Sequence, residues 1–192
     1  MKLLHIDSSI LGENSASREL TAAIAARWQD AVPGLQRQYR DLDSQPLPHL
    51  DGAALAKADP AAAVEAERVM AEFLAADIVV IGAPMYNFSI PSTLKAWIDR
   101  VSVAGRTFRY TEKGPQGLAG GKKVIVASTR GGLHSGAASD FVEPYLRFLF
   151  GFLGVTDIEF VTAEGLAFSP EHRVEALATA RAAIPQPLPL AA

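Results

Sequence analysis

The sequence predicts an α/β fold, a doubly wound parallel sheet with helices on both faces. Three observations carry that prediction. Short apolar runs alternate with segments of helical periodicity in the order βαβαβαβαβα, the pattern of parallel strands joined by crossover helices. One run, residues 78–83, has no polar alternation, as a central strand buried on both faces requires. The 192 residues suffice for one hydrophobic core, at about 150 residues per domain.

Each element follows from its local pattern. Residues 2–7 form a short apolar strand that stops at Ser8-Ser9. Leu20, Ala23, Ile24, Trp28 and Ala31 recur at steps of three and four, which predicts a helix over 15–31 with Ser15 or Ser17 at its start. Pro33-Gly34 breaks it. Residues 35–41 alternate weakly and read as an edge strand. Residues 43–59, rich in Pro and Asp, read as a loop with a short helix near 52–57. Val64, Val69 or Met70, and Phe73-Leu74 give a helix over 60–76. The strand 78–83 is followed by a loop, 84–91. A helix then covers 92–103, with Leu94, Trp97, Ile98 and Val101 on one side. Glycines punctuate 105–121 as a hairpin or flap. A strand at 123–128, a glycine-rich loop at 129–138, a helix at 140–153, a strand at 156–163 and a helix at 170–184 complete the alternation. The expected domain runs from 1 to 184, and 185–192 is a proline-rich, frayed tail.

Composition narrows the chemistry. The chain has no cysteine, which excludes disulfides, thiolate nucleophiles and cysteine-held metal sites. A net charge of -3 offers no basic footprint for nucleic acid or an anionic membrane. No run approaches the roughly 18 apolar residues of a membrane span, and no signal-peptide pattern opens the chain. The expectation is a cytoplasmic protein with no metal. A mean hydropathy of +0.14 hints at a buried oligomeric face.

Ligands of such sheets bind at the carboxyl ends of the strands, which selects three loops. The first, from Ser8 to Ser17, leads into a helix N-terminus. Its hydroxyls and free N–H groups suit a terminal phosphate, with Arg18 able to add charge. Neither G-x-G-x-x-G nor G-x-x-x-x-G-K-[ST] is present, so a dinucleotide grip and a P-loop are disfavoured. The same loop also admits a hydrolase reading, with Ser8 or Ser9 as nucleophile and His172 as base. No G-x-S-x-G elbow supports it. The second loop, Pro84-Met85-Tyr86-Asn87-Phe88-Ser89-Ile90-Pro91, is stiffened by its prolines. It offers a thioether, two aromatics and an amide to a planar ligand, or alternatively an aromatic plug to the core. The third, Thr129-Arg130-Gly131-Gly132-Leu133-His134-Ser135-Gly136, lets backbone N–H groups approach a flat ligand edge; otherwise it is a flexible turn.

Taken together, Asp7-Ser8-Ser9 with Ser15-Ala16-Ser17, Pro84-Met85-Tyr86-Asn87-Phe88, Thr107-Phe108-Arg109-Tyr110, Thr129-Arg130-Gly131-Gly132 and Glu143-Pro144-Tyr145-Leu146 resemble the FMN-dependent NADH:quinone oxidoreductases, also called NADH-azoreductases. The resemblance spans residues 1 to about 184, and P-M-Y-N-F is its most specific element. It implies a three-layer flavodoxin-like fold with strand order 2-1-3-4-5 and a homodimer with one FMN per subunit. It implies that Ser9, Ser15, Ala16 and Ser17 hold the FMN phosphate. Met85, Tyr86, Asn87, Phe88, Thr129, Arg130, Gly131 and Gly132 would then flank the ring. Thr129 stands where the family often has serine. Ala16 stands where an amide is common, which leaves only a backbone contact. The 43–59 segment is short for the family. The implied reaction is ping-pong: hydride passes from NADH through flavin N5 to quinones or, in two rounds, to aromatic azo compounds. The cofactor carries that chemistry, so no essential acid or base is named. Asn87 and His134 are candidates for tuning or proton donation, and Tyr110 and Phe152 for lining the pocket from a second subunit. The competing readings are a flavodoxin-like electron carrier without a substrate pocket and the serine hydrolase.

Overall fold

The computed structural model describes residues 1–56 and 58–187. Most of the expected tail, 188–192, and Lys57 at the end of the expected short helix lie outside the described residues. Five parallel strands form one sheet: β1 (Lys2–Asp7), β2 (Gln36–Asp41), β3 (Ile78–Pro84), β6 (Lys123–Thr129) and β7 (Asp157–Ala163). Their spatial order is β2-β1-β3-β6-β7, the flavodoxin-like 2-1-3-4-5 arrangement. The chain winds outward from β1 to β2, then crosses back to β3 and continues to β6 and β7. The direction reverses between β1 and β3, which opens a crevice at their carboxyl ends. Register confirms the alignment: Leu3 pairs with Ile78 and Ile6 with Ile81, and Pro84 pairs with Thr129.

Helices α1 (Ala16–Ala31) and α6 (Pro170–Ala182) cover one face of the sheet. Helices α3 (Pro60–Ala75), α4 (Ser92–Val101) and α5 (Glu143–Phe152) cover the other, and α2 (Gly52–Leu55) is a single turn before α3. Leu20, Ile24 and Trp28 of α1 meet Leu3, Ile78 and Val80 on the first face. On the second face, Leu94, Trp97, Ile98 and Val101 of α4 are fully buried against the even-numbered side chains of β1 and β6. Each such side chain contributes about 1.5–3 kcal/mol through burial. All seven residues of β3 are buried, as the unbroken apolar run requires. Gly82 within it is obligatory for packing: a Cβ there would lie 2.9 Å from Asp7 Oδ1 and 3.3 Å from Thr21 Cγ2.

Four expectations shift. Val64 points to solvent, 71% exposed, because the buried stripe of α3 is confined to its last two turns, at Val69, Met70 and Phe73. Ala31 is likewise exposed at the end of α1. Helix α4 ends at Val101, where buried Thr107 donates to the Val101 carbonyl and accepts from the Val103 N–H. Helix α5 starts at Glu143 rather than at 140, because Asp140 accepts from the Val142 and Glu143 N–H groups and caps the turn. The 105–121 segment is a hairpin of β4 (Phe108–Thr111) and β5 (Gly114–Gly117). It docks so closely on the turn after α5 that a Cβ on Gly117 would collide with the Gly154 backbone.

Candidate active site

The first loop is built around serine hydroxyls. Ser8 is buried and donates to the Gly82 carbonyl at 2.6 Å, which ties the loop to β3 and removes Ser8 as a nucleophile. Ser15 caps α1 by accepting the Arg18 N–H at 3.2 Å, and its hydroxyl lies 3.1 Å from that of Ser17. The Ala16 and Ser17 N–H groups are therefore at the free end of the helix, without intrahelical acceptors. The Arg18 guanidinium bridges the first loop and the end of β2. It is bidentate on Asp41 at 2.7 and 2.9 Å and also donates to the Ser9 carbonyl at 2.9 Å. The hydrogen bonds that it donates to Asp41 raise its pKa further. Arg18 thus stands against the first loop through the Ser9 carbonyl, with its charge shared with Asp41.

The second loop leans onto the first. Tyr86 Oη lies 3.0 Å from Ser9 Oγ and accepts the Ile10 N–H at 3.2 Å. Met85 N–H donates to Thr129 O, so the second and third loops also leave the sheet side by side. Tyr86 and Ser89 exchange both backbone hydrogen bonds, at 2.9 and 3.1 Å. Between them Asn87 and Phe88 have φ of +49° and +69°. Two positive φ values mark a type I′ turn. Asparagine tolerates that region, whereas phenylalanine there is strained. The turn thrusts Phe88 outward, 54% exposed.

The third loop meets the second where the Phe88 and His134 rings pack edge to face, 5.7 Å apart. Arg130 does not reach the cleft. It is 1% exposed, paired with Asp140 and Glu164 at 3.0 Å each and hydrogen-bonded to Ser135. Its own N–H donates to Ala163 O. The Gly131 and Gly132 carbonyls accept from Ala167 and Gly165, and among the described residues nothing accepts their N–H groups. His134 folds back over Gly132: its Nε2 would lie 3.0 Å from a Cβ on that glycine. Its Nδ1 pairs with Ser139 Oγ at 2.8 Å.

Glu164, Asp140 and Ser139 were not among the sequence candidates. Glu164 follows β7 at the same sheet edge, so extending the strand-end rule to a fourth loop would have found it. Burial pushes the Glu164 carboxyl up, but the His134 N–H, Arg130 and Ser135 outweigh it and hold the group at about 2. Tyr110 and Phe152 lie elsewhere. Helices α4 and α5 run antiparallel to the strands, so the hairpin and the end of α5 sit at the amino edge of the sheet, opposite the three loops. There Phe108 packs on both Phe152 and Tyr110. His172 caps no triad: its ring contacts Phe168. Among the described residues no group of three or more His, Cys, Asp or Glu could hold a metal, and no helix is long and apolar enough to cross a membrane.

A family profile described as "Flavodoxin-like fold" matches residues 1–188. The chain is 63% identical over 185 residues to an FMN-dependent NADH:quinone oxidoreductase of Stenotrophomonas maltophilia (strain K279a), covering 96% of this chain and 95% of that one. The chain belongs to the FMN-dependent NADH:quinone oxidoreductase family. Among solved structures, an azoreductase from Bacillus anthracis str. Sterne superposes with a TM-score of 0.84 at 29% identity, covering 95% of each chain. An FMN-dependent NADH-azoreductase from Bacillus anthracis str. Ames Ancestor, solved in complex with FMN, shares the fold with a TM-score of 0.86 at 24% identity and the same coverage. In this member of the oxidoreductase family the cleft chemistry suits FMN. Hydroxyls and helix N-terminal N–H groups lie at one end, two glycine N–H groups unpaired among the described residues at the other, and aromatic surface between.

Proposed function

We propose that this chain is an FMN-dependent NADH:quinone oxidoreductase that also cleaves aromatic azo compounds, and that it works as a homodimer. The observation that carries the reading is the convergence of three loops at one sheet edge, joined through Ser9–Tyr86 and Phe88–His134. In this reading Ser9, Ser15 and Ser17, with the Ala16 and Ser17 N–H groups, hold the FMN phosphate on the α1 dipole. Met85, Tyr86, Asn87 and Phe88 form one wall of the ring site. Gly131 and Gly132 present N–H groups to the ring edge, while Thr129 and Arg130 support them from below. Bound FMN would supply the two-electron hydride chemistry between NADH and a quinone or, in two rounds, an azo bond. The chain's own residues orient, stack and exclude water. His134 Nε2, unpaired among the described residues, is the group best placed to hand a proton to a reduced product.

The dimer has a physical rationale. Tyr145, Phe148 and Phe152 recur along α5 at steps of three and four, with Phe141 just ahead of the helix, so aromatics run along one side of it. Phe148 is 76% exposed. A two-fold pairing across this face sets the amino edge of one subunit against the carboxyl edge of its twin. Tyr110 and Phe152 would then reach the other subunit's cleft, which their own chain denies them. Residues 1–184 act as one domain in this reading, and a dependence on NADH suits the cytoplasm.

The purified protein's visible spectrum tests the proposal. Flavin bands that bleach with NADH and return with benzoquinone are the expected result. A colourless protein that binds no added FMN would overturn it, and flavin bands untouched by NADH would indicate an electron carrier instead.

A further inference from the structure

Glu164 carries more contacts than a rim residue needs. One oxygen, Oε1, accepts the N–H groups of two consecutive residues, His134 at 2.7 Å and Ser135 at 2.8 Å, and also Arg130 Nη1 at 3.0 Å. Two successive N–H groups converging on one anion form a backbone nest. Here the chain fills its own nest. The filling is itself held, because Arg130, almost wholly buried, ties Glu164 to Asp140, and Asp140 in turn caps α5. The turn 133–135 is thus fastened from β7 on one side and from the start of α5 on the other.

What this turn carries is the functional edge of the third loop. Upstream, the Gly131 and Gly132 carbonyls are bound by Ala167 and Gly165, while their own N–H groups have no acceptor among the described residues. Downstream, the His134 ring lies over Gly132 with Nδ1 on Ser139 and an edge against Phe88. The His134 N–H is held by Glu164 at 2.7 Å, while its carbonyl accepts from Ala137 at 3.0 Å, so Glu164 fixes the side of the turn from which the ring begins. We propose that Glu164 is a positioning residue: by filling the nest it sets the turn that aims the His134 ring and the Gly132 N–H into the cleft. This rests on the oxidoreductase reading for its consequence but not for its geometry.

The alternative is that Glu164 matters through its charge alone. Two substitutions separate reach from charge. Glu164→Gln keeps an acceptor oxygen at the same reach and loses the charge. Glu164→Asp keeps the charge and withdraws the oxygen by one methylene. Amide hydrogen exchange of the His134 and Ser135 N–H groups in the FMN-free protein gives the first measurement. Positioning predicts exchange about tenfold or more faster in E164D, whose carboxylate no longer reaches the nest, and a smaller increase in E164Q, which keeps the reach but loses the charge assistance. With FMN bound, the rate of bleaching by NADH should fall in the same order, about tenfold for E164D and little for E164Q. If E164Q loses protection while E164D keeps it, or neither changes, the proposal is overturned. Failure of the wild type to take up FMN would remove the oxidoreductase reading while the exchange measurement still decides the role of Glu164.

Discussion

Asn87 and Phe88 occupy a backbone region that costs most L-residues about 1–2 kcal/mol each, yet no glycine stands there. Asn87 can lower that cost through its short amide, so its presence has two competing explanations: the turn needs it, or the ligand does. Glycine separates them, since it suits the positive φ and deletes the amide. If the amide serves the ring site, Asn87→Gly retains thermal stability and FMN content but loses turnover by about tenfold, the value of one hydrogen bond. Full turnover in N87G would assign Asn87 to the turn alone. This strain was not legible in the sequence, because P-M-Y-N-F lacks the glycine that normally signals a positive φ. The serines of the first loop were legible, since N-cap chemistry is local in sequence. Glu164 was not: it binds His134 and Ser135 from 30 and 29 residues away, a pairing that only the β6–β7 register creates.

At the scale of elements, the helices and strands were readable because their cores are periodic, and their ends were less so because caps decide them. Helix α5 is the element whose surface exceeds what one chain needs. Its core side buries Leu146 and Phe150, while Phe148 projects outward beside half-buried Tyr145 and Phe152. Contiguous aromatic surface of this kind is rare on monomers unless a partner covers it. Phe148→Glu puts a charge at the centre of that face without touching the core or the three loops. Its expected effect is a monomer in sedimentation velocity, with native helix content and reduced quinone turnover. A dimer of unchanged activity would move the interface to another face.

For the whole molecule, the sheet order places two anchored carboxylates near the carboxyl edge, and both make stability depend on acid. Asp7, on β1, accepts from Thr21 and from Tyr39. Burial raises its pKa, but His5 beside it and these two donors outweigh that and lower it overall. Glu164 is held at about 2 against an ordinary value of 4.5. A carboxyl whose pKa is lower folded than unfolded binds fewer protons in the native state. Its contribution is complete above the unfolded value and is lost as pH falls through the folded one. For Glu164 the window runs from 4.5 down to about 2. E164Q does not titrate, so it should have a lower urea midpoint than wild type at pH 7, and the gap should narrow steadily as pH falls through that window. The slope difference should approach one proton, about 1.4 kcal/mol per pH unit. A gap that stays constant from neutral pH into the acid range would show that the ionised form of Glu164 contributes nothing to holding the third loop on the sheet.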